Sequence, residues 1–154
     1  MTINSDYRSY PLLTTKLFIP KLRSATIHRN RLTEKLDNGL ESKLALVCAP
    51  AGFGKTTLLV DWISKSTRPV AWVSLDQTEN DPVRFFKYLT GALQTIEKDL
   101  GNSTRSMLDI NEGFPIESFA ANLISDISEF KTDFLLILDD FHVIDNPDVY
   151  KAAA

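Results

Sequence analysis

The chain has 154 residues, 44% apolar and 24% charged, with a formal net charge of −3. That length and balance fit one domain or a piece of a larger protein, and exclude a wholly disordered, collagen-like or low-complexity chain. The charge is too mild for a nucleic-acid surface over the whole chain, and one cysteine, Cys48, builds neither a disulfide framework nor a zinc site.

Spanning a membrane takes about 18 or more consecutive apolar residues, and runs such as residues 134–138 fall far short. No apolar block leading to a cleavage site opens the chain, so no secretory signal is expected and the predicted compartment is the cytoplasm. The charge is unevenly spread. Residues 1–43 carry 8 Lys/Arg and 4 Asp/Glu, and residues 44–154 carry 9 and 16. The basic part suits either phosphate or packing against the acidic remainder.

In chain order, residues 1–10 are polar and aperiodic and read as a loose end. Residues 12–20 (LLTTKLFIP) read as extended. Over residues 21–40, Leu32, Leu36 and Leu40 recur at four-residue spacing, which predicts one amphipathic helix with Gly39 near its stop. Residues 44–49 (LALVCA) are continuously apolar, the pattern of a strand buried on both faces, with Cys48 as a small core residue. A helix then follows from Lys55, and residues 69–75 (PVAWVSL) predict a second strand.

Asp81 and Pro82 open the next helix as N-cap and first helical residue, with Phe85, Leu89, Leu93 and Ile96 on its buried stripe. Residues 101–114 read as a loop or a short broken helix. Another helix covers 116–130 with Phe119, Leu123, Ile127 and Phe130 on one face, and residues 134–138 (FLLIL) form a third buried strand. Strands alternating with helices imply crossovers and a parallel sheet, so the predicted class is α/β. Trp62 and Trp72 fit packing better than base stacking, and no internal repeat is visible.

Two motifs carry chemistry. Ala49-Pro50-Ala51-Gly52-Phe53-Gly54-Lys55-Thr56 follows the P-loop pattern GxxxxGK[ST] except that Ala49 replaces the first glycine. Such a loop curls so that backbone N–H groups converge on phosphate oxygens, which requires permissive dihedrals, here from Gly52 and Gly54. The following helix aims its unpaired amides and positive dipole end at the same anion, and Thr57 belongs to that first turn. Lys55 supplies a mobile charge for the β- and γ-phosphates, and the Thr56 hydroxyl suits Mg²⁺. Arg29 and Arg31, before and within the first helix, are further candidates to reach a nucleotide; surface solvation is the alternative for both.

The second motif is LLILDD, residues 135–140. Its aspartates end a buried strand, the edge where ligands collect in open α/β sheets. Asp139 is the candidate Mg²⁺ carboxylate and Asp140 the candidate that polarises an attacking water. A strand end followed by a turn is the plainer alternative. His142 reads as structural or as a sensor near the γ-phosphate.

Together, TTKLFIP…HRNRL, LVCAPAGFGKTTLLVDW, VAWVSLDQTENDPVRFFKYL and FLLILDDFHVIDNP, over about residues 12–149, resemble the N-terminal part of MalT-type regulators. These are ATP-binding, LuxR-family transcriptional activators of the STAND class. The resemblance implies a P-loop NTPase fold, with residues 1–42 leading into a nucleotide domain at 43–154. It implies binding of ATP or ADP with Mg²⁺, slow hydrolysis, self-association on activation and inducer-dependent transcription. It places adenine near Ile27, His28, Arg29 and Arg31, and gives Asp139 and Asp140 the metal and hydrolysis roles.

The family's winged-helix, helical-repeat and DNA-binding parts would come later, as would a strand carrying a polar sensor residue. The chain is accordingly expected to be a fragment with an incomplete nucleotide site and a gap or edge in its sheet, inactive alone, and contacting DNA only through parts it lacks. Three functions are weighed: a nucleotide switch, a P-loop ATPase or kinase whose turnover is the function, and a non-enzymatic interaction module.

Overall fold

A computed structural model describes residues 11–22, 27–110 and 115–153, over which it is a mixed α/β structure with six α-helices and a two-stranded parallel sheet. The described chain divides into two compact units. One comprises Ile19–Arg68; the other takes in the chain up to Phe18 and again from Pro69 onward. The reading of residues 1–10 as a loose end lies outside the described residues, as do residues 23–26, 111–114 and 154.

The smaller unit holds α1 (Asn30–Gly39) and α2 (Lys55–Ile63). Leu32 and Leu36 are half-buried, as their spacing predicts, and the helix stops at Gly39. It begins later than the apolar spacing suggests. Residues 27–29 are not helical, and His28 Nδ1 lies 2.7 Å from Asp61 Oδ1 of α2. The two helices are joined where Trp62 Nε1 donates to Asp37 Oδ1 at 2.7 Å.

Residues 44–49 do not form the expected buried strand. They adopt no regular structure, Leu44 and Leu46 are 73% and 77% exposed, and Cys48 is exposed rather than a core residue. An apolar run becomes a strand only when a neighbour completes its hydrogen-bond ladder. Among the described residues the only ladder joins two other segments.

Those segments form the larger unit's sheet. β1 (Val70–Ser74) and β2 (Leu135–Asp139) pair in parallel, from Val70 opposite Leu135 to Ser74 opposite Asp139. Both were legible as apolar runs. Parallel neighbours need a long crossover, and here it carries α3 (Pro82–Leu93), α4 (Asn102–Ile110) and α5 (Ile116–Glu129). Asp81 caps α3 by accepting from the Arg84 amide at 2.8 Å. Residues 102–110 resolve the choice between loop and helix as a helix, its Thr104 amide held by Asp126 of α5.

The core of this unit gathers Ala71 and Val73 of β1, Phe85, Phe86, Leu89 and Leu93 of α3, and Phe119 and Leu123 of α5. Residues 14–17 form a 3-10 turn rather than extended chain. Leu12 and Leu17 pack onto the core beside Gly91, where an added Cβ would meet a Leu12 methyl at 2.8 Å. After β2, a 3-10 turn (Phe141–Val143) leads to α6 (Pro147–Ala153).

Candidate functional site

Two groups of candidate residues are built locally, one in each unit. In the smaller unit the loop 49–54 turns sharply into α2. Gly52 and Gly54 adopt φ of 82° and 79°, left-handed values that a side chain resists. A Cβ on Gly52 would meet nothing within 4 Å, so backbone conformation rather than space calls for glycine there. Gly54 is the N-cap of α2 and, having no side chain, makes no capping hydrogen bond of its own.

The Lys55 ammonium folds back on the loop and donates to the Ala49 carbonyl at 2.8 Å and the Pro50 carbonyl at 3.3 Å. It therefore lies beside the curl rather than out in solvent. Arg29 reaches the same loop, its guanidinium donating to the Phe53 carbonyl at 3.2 Å. Arg31 is exposed on α1, and Ala51, Phe53 and Thr57 are exposed around the curl, while Thr56 is half-buried in the first turn of α2. Ala49, Pro50, Phe53, Lys55 and Arg29 are thus brought together by direct bonds.

In the larger unit β2 delivers two aspartates with opposite surroundings. Asp139 is 6% exposed and ends the ladder, its carbonyl accepting from the Leu75 amide at 3.0 Å. Asp140 is exposed and adopts φ 58°, ψ 29°. Left-handed conformations are tolerated by Asp better than by most side chains. His142 Nδ1 stands 3.7 Å from Asp140 Oδ1, both side chains largely exposed.

Three clusters beside these groups escaped the sequence reading. The buried Asp61 is met by His28, as above, and its other oxygen lies 3.9 Å from Lys65 Nζ. Glu79, fully buried, and Asp76 both take Lys16, at 2.7 Å each. Hydrogen bonds from Lys16 and then Thr78 hold the Asp76 carboxyl well below the usual carboxylate range. For Lys16, burial alone would lower the pKa, but hydrogen bonds to Asp76 and Glu79 outweigh it and the net shift is upward. Asn80 forms the third cluster, binding the turn after β2. The D-x-x-E spacing of Asp76 and Glu79, a capping-box pattern, is the one local signal that pointed to any of them.

No family model matches the chain. It aligns with the HTH-type transcriptional regulator MalT of Cronobacter sakazakii at 34% identity over 141 residues, covering 92% of this chain and 16% of that protein. The chain is related to the MalT regulators. Proteins of the same name from two Klebsiella pneumoniae strains are 31% identical to it over the same number of residues and the same shares. The chain thus spans 16% of the length of these MalT relatives. Among its described residues no helix is long and apolar enough to cross a membrane.

Proposed function

We propose that this chain is the nucleotide-binding part of a MalT-type transcriptional regulator, a P-loop NTPase switch that binds Mg-ATP or Mg-ADP and hydrolyses slowly. The observation that carries the reading is the loop 49–56: two left-handed glycines, an α2 N-terminus without a side-chain cap, and an ammonium group folded beside the curl. Such a curl fits a phosphate chain because amide dipoles and a flexible cation converge where no side chain intrudes. Relationship to regulators named for an HTH supports the transcriptional output.

In this reading Lys55 leaves the Ala49 and Pro50 carbonyls to meet phosphate oxygens, which offer it a full negative charge in place of two neutral acceptors. Arg29, through the Phe53 carbonyl, holds the segment before α1 against the loop, where it serves adenine. Arg31 is the more peripheral of the two. Taken each within its own unit, Thr56 carries a hydroxyl oxygen and Asp139 a carboxylate oxygen of the kinds that Mg²⁺ takes. When bound, the ion neutralises charge on the β- and γ-phosphates.

Asp140, exposed and left-handed at the strand end, polarises the attacking water. Hydrolysis resets the switch, and nucleotide state governs self-association in the cytoplasm and, through later parts of the regulator, contact with DNA.

The test is calorimetry with Mg-ATP and Mg-ADP on the full-length regulator. Saturable binding is expected, and Lys55→Ala should reduce it beyond detection or by at least about ten-fold, the scale of one lost charge-assisted contact. Unchanged affinity in that variant would remove the loop from the function. Turnover on the order of 1–100 s⁻¹, the range of kinases, would replace the switch with an enzyme whose product matters.

A further inference from the structure

Asp140 sits at a tip that its own strand does not hold. The β ladder ends at Asp139, and the next residues form a turn with two short backbone bonds, Val143 N–H to Asp140 O at 3.0 Å and Ile144 N–H to Phe141 O at 3.1 Å. What anchors that turn comes from a distant point in sequence. Asn80, at the end of the 3-10 turn Gln77–Asn80, accepts from the Asp145 and Asn146 amides through Oδ1 at 2.7 and 3.0 Å. Its Nδ2 donates to the Val143 and Gln77 carbonyls, both at 3.2 Å. The Asn146 side chain returns a bond to the Asn80 carbonyl at 2.8 Å.

An asparagine amide offers two donors and two acceptor positions, and all four are used here. Only a side chain with an oxygen and an NH₂ group on one carbon can take two amides and feed two carbonyls at once. The turn is also packed: Ile144 is 1% exposed, and Phe141 lies edge-on to Phe85 and to Tyr150. Packing fixes where the turn lies, whereas the Asn80 bonds fix the backbone path that returns to Asp140.

We propose that Asn80 is a positioning residue for Asp140: by bracing residues 143–146 it keeps the Asp140 backbone left-handed and its carboxylate at the end of β2. The inference rests on the nucleotide reading for its effect on hydrolysis, but its geometric part stands apart from it. Asn80 itself touches no reacting group.

The experiment compares Asn80→Ala and Asn80→Asp by amide hydrogen exchange on this chain and by Mg-ATP hydrolysis in the full-length regulator. Asn80→Ala should speed exchange at Val143, whose amide reports the Asp140 carbonyl, together with Asp145 and Asn146, while Ala71–Val73 in the sheet stay protected. Hydrolysis at saturating Mg-ATP should fall about ten- to a hundred-fold with KM unchanged, as expected when a group is displaced by about 1 Å. Asn80→Asp keeps the two acceptances and should fall between wild type and Asn80→Ala.

In an Asp140→Asn background, Asn80→Ala should slow hydrolysis no further. Unchanged exchange at Val143 overturns the brace, and an equal slowing in that background overturns action through Asp140. If Asn80→Ala loses protection in the sheet, Asn80→Asp decides by the same two readouts. Absence of hydrolysis in the wild type would sink the nucleotide reading, and Val143 exchange would still decide the brace.

Discussion

Asp140 is the one described non-glycine residue at positive φ. An ordinary L-residue pays about 1–2 kcal/mol in that region, less for Asp or Asn, whose short polar side chains bond locally. Three substitutions therefore separate backbone from carboxylate. Asp140→Gly should raise thermal stability by up to about 1 kcal/mol, because glycine takes the conformation freely. Asp140→Ala should lower it by about 1 kcal/mol, and Asp140→Asn should leave it within about 0.5 kcal/mol. Melting curves read all three. Equal stability of the Ala and Gly variants would mean that the turn does not hold Asp140 left-handed. In the full-length regulator Asp140→Asn should keep nucleotide binding and slow hydrolysis, which single-turnover measurements check.

At the scale of elements, β1 and β2 were legible as apolar runs although they pair across a long crossover, and the other segments that read correctly are those whose ends carry their own signals. The Asp81-Pro82 pair marks the start of α3 because a cap and a fixed φ act within one turn. The left-handed turn at Gly52 and Gly54 was legible for the same reason: the curl is contiguous, and its backbone demands are written in neighbouring residues. The run at 44–49 has the composition of β1 and β2 but lacks a described ladder partner, and composition cannot supply one.

Asn80, Lys16 and His28 were illegible because their partners lie 33 or more positions away and no periodicity links them. Cys48 tests the point about the unpaired run directly. Exposed in the native chain, it should react with a thiol reagent such as Ellman's at a rate close to that of the unfolded protein. A cysteine buried in a strand would wait for global unfolding, so protection by orders of magnitude would restore the strand.

Over the length of the chain, polar contacts tie residues before the smaller unit to residues after it, among them that of Lys16, which closes onto Glu79, 63 positions on. Its two carboxylates are not equivalent. Glu79 has no exposed side-chain surface, whereas Asp76 is 54% exposed. Lys16→Met leaves the buried Glu79 without its ammonium, though the Arg84 guanidinium stays 3.9 Å away, and the loss is at most about 3 kcal/mol, the scale on which a buried pair is broken from one side. The Thr78 hydroxyl and the Asp76 amide still donate to Glu79, which limits the loss further. Asp76→Asn removes a solvent-screened partner and should cost about 1 kcal/mol or less at neutral pH.

The pH dependence follows from the depressed Asp76 carboxyl. Its folded pKa lies below the unfolded value of about 3.9, so the unfolded chain binds more protons in the interval between them. The stability it contributes is complete above about pH 5 and drains away as pH falls through that interval. Lys16, shifted upward, works at the other end of the scale, since its contribution is lost only as pH rises past the ordinary lysine value of about 10.4. Urea midpoints of wild type and Asp76→Asn should therefore differ at pH 6 and converge toward pH 2. A difference that persists unchanged in acid would show that the charge on Asp76 is not its source, since protonation removes that charge and an asparagine oxygen still accepts the Thr78 bonds.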